Sequence, residues 1–475
     1  MCTAATHKPD AVLETMEGGA TRRRMQVMPE RLRTYHINGP PVDRVERTTR
    51  EALPRGSVLG VFGGGQLGLM FAEAAQALGY RVHVYAPESD PPASRVAAQH
   101  TCAPYEDVDA ARRFAHTVGA VTYEFENIPP ETIRAIDGIV PVRPAPRILA
   151  ITRNRLREKE FLQERGLPVT PFAAARTLEE TRSLLEGGPM RRRSLQGEVS
   201  RSSTLQSPLT RPVEGEATAG AQALRRDKPA EPAPPTGFIL KTTELGYDGK
   251  GQVPVPNADV LSAAWDTLGN PHEIIVEERI DLAGECSVII ARDTSGRYML
   301  YGPFHNEHRN HILDITTWTA EQDSEIARRS REIGLAVAEA FDLVGMICVE
   351  LFIARDDAIM VNEIAPRPHN SGHLTIEACS VSQFAQQALL TAGHPATPWE
   401  PKAPAAAMAN LLGDLWANGE PNWSTVQDVP DVTLHLYGKK GARAGRKMGH
   451  LTALADTAEH AREQVLDARA RLTRS

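Results

Sequence analysis

A chain of 475 residues is too long for one ordinary core, and 41% hydrophobic with 24% charged residues is the balance of a globular protein of roughly two to four domains. The formal net charge of -7 argues against nonspecific polyanion binding, so nucleic acid is not an expected partner. No apolar run approaches the roughly 18 residues of a membrane span, and the widely spread cysteines Cys2, Cys102, Cys286, Cys348 and Cys379 form no CxxC pair, which suggests reduced thiols in a cytoplasmic protein without a membrane partner.

Residues 1–54 are polar and Arg-rich with interspersed acids and read as a disordered N-terminal extension. From Gly56 the pattern turns orderly: SVLGVF is a buried-strand run, GGGQLG a turn, LMFAEAAQALG a helix stopped by Gly79, and RVHVYA a second strand. This βαβ opening puts backbone N–H groups and a helix N-terminus where an anion can bind. A nicotinamide site would add an acid at the end of the second strand, but here that strand runs into Tyr85, Ala86 and Pro87, with Glu88 just beyond. A phosphate-ester site and a merely structural turn both stay open. Further strands at 120–125 and near 139–142 complete an α/β, Rossmann-like parallel layer over 55–152.

RNRLREKEFLQERG then makes a helix closed by Gly166, and opens a middle α+β domain over 153–395. Within it, 187–236 loses periodicity and fills with Arg, Ser, Pro, Gly and Glu, the composition of a disordered insertion. The strand GFILK ends on Lys241, placed to neutralise phosphate charge beside the Gly-rich loop GYDGKGQ at 246–252. Gly246, Gly249 and Gly251 permit close backbone approach and closure of such a flap, while Tyr247, Asp248 and Lys250 offer polar groups; a mobile surface turn is the plainer reading. EIIVEE is a strand, CSVIIAR and RYMLYGP form a hairpin, and the polar segment HNEHR carries His305, Asn306, His308 and Arg309.

After an amphipathic helix from Glu325 to Phe341 comes GMICVELFIARDDAIMVNEI, two strand-type runs about a polar tip. A two- or four-residue connection centred between Asp356 and Asp357 places Glu350 opposite Glu363. Directly opposed residues have Cβ atoms roughly 5 Å apart, where like charges repel, so a hard divalent cation between them is expected. Two solvated edge carboxylates are the alternative. APRPHNSGH follows at once, concentrating Arg367, His369, Asn370 and His373, donors suited to a planar oxyanion. Beyond a Pro-rich joint, 396–475 forms a small C-terminal domain of short strands, AAMANLLG, VTLHLYG and HLTALA, with a final helix. Its loop YGKKGARAGRKMGH holds Lys439, Lys440, Arg443, Arg446 and Lys447, either a phosphate-monoester grip or a solvated basic loop.

Taken in order, GGGQLG, TYEFENIP, NRLREK, GYDGKGQ, VEE, the paired glutamates, PRPHNSGH and GRKMGH resemble the ATP-grasp 5-(carboxyamino)imidazole ribonucleotide synthases of purine biosynthesis, from about Gly56 to Leu454. The resemblance implies a three-domain ATP-grasp fold: an N-terminal Rossmann-like parallel sheet, a central ATP-grasp domain and a small β-rich C-terminal domain. It implies a ligase that uses ATP and bicarbonate to carboxylate aminoimidazole ribonucleotide through carboxyphosphate, with magnesium as metal and manganese as its alternative. By that similarity Arg155, Lys241, residues 246–252 through Gln252, Glu277, Glu278, Arg279, Ile280, Glu285, His305, Asn362 and Glu363 contact the nucleotide. Glu350 and Glu363 hold metal; Arg367, His369 and Asn370 orient bicarbonate, with Tyr247, Asp248 and Lys250 at the reacting end. Gln66, Leu67, Glu126, Lys439, Arg446 and Lys447, with Tyr247 and Asp248, address the ribonucleotide. A homodimer, and coupling to the mutase that uses the product, are also what the resemblance implies.

The chain departs from that pattern at Leu69, where the family usually has arginine, at Leu245, which replaces a common glycine, and in the insertion ahead of Lys241. A different ATP-grasp carboxylate-amine ligase and an inactive nucleotide-binding homologue therefore stay open as alternatives.

Overall fold

The computed structural model describes residues 51–187, 237–244, 246, 250–427 and 429–472. The expectations for 1–50 and for the insertion at 188–236 lie outside the described residues. Leu53 already belongs to the fold, its N–H donating to the carbonyl of Ala392 at 2.8 Å.

The N-terminal layer is a parallel sheet of β1 (Val58–Phe62), β2 (Arg81–Ala86), β3 (Gln99–Cys102) and β4 (Ala120–Tyr123), in the order β3-β2-β1-β4. Parallel strands are covered on both faces, and the central pair reads accordingly: Leu59, Val61, Phe62, Val82, Val84 and Tyr85 are all fully buried. The helix Gln66–Ala77 springs from the glycine turn at the end of β1.

A second sheet of four strands contains β5 (Phe172–Ala175), β6 (Phe238–Thr242), β7 (Gln252–Val255) and β8 (Ile274–Glu278), ordered β5-β8-β6-β7 and antiparallel throughout. The helix Arg155–Glu164 precedes it, capped by Asn154, whose side chain accepts the N–H of Arg157 at 3.0 Å.

The largest sheet is antiparallel: β9 (Leu282–Arg292), β10 (Tyr298–Arg309), β11 (Ile312–Thr319), β12 (Gly345–Ala354), β13 (Ile359–Ala365), β14 (Ala405–Leu412), β15 (Val432–Leu436) and β16 (Lys447–Ala455). Its order is β13-β12-β9-β10-β11-β14-β16-β15. The C-terminal strands are thus hydrogen-bonded onto the middle sheet through the β11–β14 pair, rather than forming a sheet of their own.

Period-two alternation assigns the two faces of this sheet. One face, with Cys286, Val288, Ile290, Ile347 and Val349, packs on the helix Glu325–Ala340. The other, with Ile289, Phe304, Cys348 and Trp318, packs on Leu374, Ala378 and Leu390. Glu350, paired with Ser287, lies on this second face, which also receives the segment after β13.

The hairpin of β12 and β13 pairs Glu350 with Glu363 by a route different from the symmetric turn expected from sequence. The ladder closes with Ala354 N–H donating to Ala358 at 2.9 Å, leaving Arg355, Asp356 and Asp357 as the loop, with Asp357 at φ 63. That closure alone would set Glu350 opposite Asn362. A bulge between Glu350 and Leu351, with Asn362 as the additional residue, restores the pairing with Glu363.

Candidate active site

Lys241 and Glu277 face each other in the four-stranded sheet, where burial makes an unpaired charge costly. Lys241 Nζ donates to Glu277 Oε2 at 2.9 Å, and Lys159 Nζ lies 3.4 Å from Oε1. Burial pushes the Glu277 carboxyl up, but the two ammonium groups outweigh it and hold the carboxyl down at about 2. Lys159 also donates to Thr170 Oγ1 at 2.6 Å. Lys159 and Thr170 had no role in the sequence reading; burial of a lysine at 2% exposure is the signal that marks it.

Arg155, at the first turn of its helix, donates to the carbonyls of Thr242 at 3.0 Å and Gly246 at 2.7 Å. A Cβ on Gly246 would lie 2.1 Å from Arg155 Nη1, so a larger residue there would displace the guanidinium from these carbonyls. Tyr247, Asp248 and Gly249 lie outside the described residues. Lys250 is exposed at the turn into β7, Gly251 accepts the Thr242 N–H at 2.8 Å, and Gln252 pairs with Lys241. Glu278 pairs with Phe238, Arg279 N–H donates to Gly237 at 2.9 Å, and Ile280 leads into β9.

Glu350 and Glu363 behave as a coupled pair. Burial and then the charge of Glu350 push Glu363 up to about 7. Burial acts upward on Glu350 too, but the His369 imidazole, 3.1 Å from its Oε1, and His308 hold it well below the usual carboxylate range. A further carboxylate stands nearby: Glu158, buried in the NRLREK helix, accepts the Ile364 N–H at 3.1 Å, and burial followed by the Glu363 charge pushes it up. Among the described residues no group of three or more His, Cys, Asp or Glu is arranged as a metal cluster.

The strand alternation also corrects one assignment. His305 pairs with Cys286 and so projects to the helix-covered face, away from Glu350. His308 and Asn306 share the face of Glu285 and Ser287, and His308 Nδ1 lies 2.9 Å from Glu285 Oε2. The histidine beside Glu285 is therefore His308.

PRPHNSGH crosses this same face. Arg367 Nε donates to Glu126 Oε2 at 2.6 Å, a pair that ties TYEFENIP to the middle domain and places two residues assigned to different ligands in direct contact. Asn370 is 6% exposed, and among the described residues neither its Nδ2 nor its Oδ1 has a hydrogen-bond partner. A buried amide with both ends unmet marks a place where a polar ligand belongs.

The glycine turn after β1 does not present an open anion site. Glu124 fills it from β4's end: Oε1 accepts the Gly65 N–H at 2.5 Å and Oε2 the Gly68 N–H at 2.8 Å. A Cβ on Gly63, whose φ is 104, would sit 2.3 Å from Glu124 Cγ. The phosphate-ester reading of this turn thus gives way to a structural one, because the chain supplies its own anion. Gln66 is half-buried at the helix start, and Leu67 packs with Met70, Phe384 and Tyr437.

In the C-terminal loop, Lys439 Nζ donates to the Lys447 carbonyl at 2.9 Å and lies over the Tyr437 ring. Arg446 donates to the Gly441 carbonyl at 2.8 Å, and Lys440 pairs with Asp90 at 2.7 Å, joining this loop to the N-terminal domain.

A parallel sheet, then a small antiparallel sheet carrying a buried lysine and a large antiparallel sheet with two acids paired across a hairpin, form the architecture of an ATP-grasp ligase preceded by a parallel domain. Family comparisons agree: residues 57–153 match the ribonucleotide synthetase preATP-grasp domain, 234–384 the ATP-grasp domain, and 406–464 the phosphoribosylaminoimidazole carboxylase C-terminal domain. The N5-carboxyaminoimidazole ribonucleotide synthase of Brucella melitensis is 33% identical over 413 residues, covering 85% of this chain and 98% of that protein. The bifunctional purine synthesis protein purC/E of Dictyostelium discoideum is 36% identical over 426 residues, and there the alignment spans 86% of this chain but 38% of the longer protein. The structure of N5-carboxyaminoimidazole synthetase from Staphylococcus aureus complexed with ADP superposes with a TM-score of 0.73 at 29% identity, covering 89% of this chain and 100% of that one. The chain belongs to the N5-carboxyaminoimidazole ribonucleotide synthase family of ATP-grasp ligases.

Proposed function

We propose that the chain carboxylates 5-aminoimidazole ribonucleotide at its exocyclic amine, using ATP and bicarbonate, as a step of purine biosynthesis. The observation that carries this reading is the juxtaposition of the opposed Glu350 and Glu363 with His369, whose ring touches Glu350, and with the unmet amide of Asn370 next to it in sequence. A phosphoryl acceptor that is itself a small oxyanion needs donors and neutralised phosphates in one place, and little covalent help.

Bicarbonate oxygen attacks the γ-phosphorus, ADP leaves, and carboxyphosphate results; its breakdown to phosphate and carbon dioxide supplies the carbon that the amine takes up. Lys241, paired with Glu277, offsets nucleotide phosphate charge, and Arg155 holds the backbone at Gly246. Asn370 and His369 are donors for the oxyanion, and Arg367, with one face held by Glu126, adds fixed positive charge. Lys439, Arg446 and Lys447 provide a basic surface for the ribonucleotide phosphate.

The donor set fits a hard divalent cation: burial, and then the charge of Glu350, push Glu363 up to about 7, and both carboxylates gain when a cation lies between them. Magnesium held by Glu350 and Glu363 would neutralise charge on the transferring phosphoryl group.

The test is phosphate release from ATP. The reading requires that both 5-aminoimidazole ribonucleotide and bicarbonate be present for turnover; turnover that needs a different acid or amine would replace it.

A further inference from the structure

A chain of buried hydroxyl and amide groups crosses the large sheet and ends on His369. Thr316 Oγ1 donates to Asn306 Oδ1 at 3.1 Å, and Asn306 Nδ2 donates to Ser287 Oγ at 3.0 Å. Ser287 Oγ lies 2.7 Å from Ser371 Oγ, and Ser371 Oγ lies 2.8 Å from His369 Nδ1. His369 Nε2 in turn lies 3.1 Å from Glu350 Oε1. Thr316, Ser287 and Ser371 are 0% exposed and Asn306 8%, so each group must find its partners inside the protein.

The polarity of this chain is set at its His369 end by one group that cannot reverse, and the Asn306 amide is oriented in the same sense. The backbone N–H of Ser371 points at His369 Nδ1 at 3.4 Å, and backbone hydrogens are placed by covalent geometry, so Nδ1 presents a lone pair. At the far end the Asn306 amide has its oxygen engaged by Thr316, which leaves its N–H for Ser287. With Ser287 accepting there, its own proton is available to Ser371, and the Ser371 proton to Nδ1. Every link then donates toward Glu350. The imidazole is left in the Nε2–H tautomer, its remaining proton aimed at a carboxylate.

Resting on the function proposed above for its kinetic consequence, we infer that Ser371 and Ser287 are positioning residues that set the tautomer and ring orientation of His369. They act through His369, and no substrate contact is required of either hydroxyl. The arrangement does not conduct protons, since the Asn306 amide interrupts any relay of hydroxyls; what it transmits is orientation. Without the Ser371 hydroxyl at 2.8 Å, Nδ1 keeps only the long backbone contact at 3.4 Å, too weak to hold one tautomer, and the ring divides between two, one of which presents a bare nitrogen to Glu350.

The experiment compares the wild-type protein with Ser371→Ala and Ser287→Ala, using 15N-histidine labelling, with His369→Gln identifying the His369 resonances. The wild type shows His369 as the Nε2–H tautomer, and Ser371→Ala shifts it to a mixture. In parallel, Ser371→Ala lowers kcat about 10- to 100-fold, the range for loss of a group that orients a functional histidine, while the KM for ATP changes by no more than about twofold. Ser287→Ala, one link further back, moves the same signal in the same direction and serves if Ser371→Ala does not fold. An unchanged His369 tautomer in both variants overturns the inference. A wild-type protein without turnover on 5-aminoimidazole ribonucleotide would instead contradict the proposed function, and the tautomer measurement would still decide the role of the serines.

Discussion

Lys241 Nζ and Glu277 Oε2 are 2.9 Å apart in the interior of the four-stranded sheet, with Lys159 on the other carboxylate oxygen. One buried anion thereby stabilises two buried cations. The arrangement offsets the cost of burying two ammonium groups in an apolar interior.

Glu277→Ala should therefore cost about 3–5 kcal/mol of stability, because it leaves buried ammonium groups uncompensated. Urea unfolding checks this. The pH dependence has a defined sign: the folded-state carboxyl, at about 2, lies below its unfolded value, so its contribution is present above the unfolded pKa and fades as pH falls toward 2. The variant should accordingly lose less stability than wild type on acidification below the ordinary glutamate range.

Glu124→Ala leaves the N–H groups of Gly65 and Gly68 without their carboxylate. A drop of about 1–3 kcal/mol is expected for buried donors left unmet, read as a lower thermal midpoint with the far-UV spectrum retained.

His83 gives the opposite chemistry. It is buried, with Nδ1 and Nε2 each 2.8 Å from a threonine hydroxyl, Thr117 and Thr101, and burial followed by the His100 charge lowers it to about 4. The unfolded chain binds a proton at higher pH than the folded one, so stability falls as pH drops from about 6.5 toward about 4. His83→Gln should flatten the dependence of the urea midpoint on pH across that window; an unaltered slope would show that His83 is not responsible.

How far the sequence revealed this site depends on the range of the interaction. That Glu350 and Glu363 meet was legible because a hairpin is local, but the symmetric turn behind that expectation does not form; closure at Ala354 and Ala358 with a bulge at Asn362 gives the same pairing. Glu124 in the glycine turn could not be read from GGGQLG, because it arrives from the neighbouring strand 59 residues from Gly65. His305 and His308 look equivalent in HNEHR, and only the strand's alternation separates them. Ser371 lies within PRPHNSGH without a role of its own there, and Ser287 and Thr316 lie in no motif, because a serine facing the core is indistinguishable in sequence from one facing water. The join of β11 to β14 was hidden for the same reason, being set by packing between distant segments.

The central claim is that Glu350 and Glu363 together hold a divalent cation at the phosphoryl being transferred. Steady-state phosphate release by Glu363→Gln, assayed with ATP, bicarbonate, 5-aminoimidazole ribonucleotide and magnesium, tests it most directly. The account predicts a fall of about a hundredfold or more with the fold intact, as expected when a charged group at a developing negative charge is lost; turnover close to wild type would contradict it.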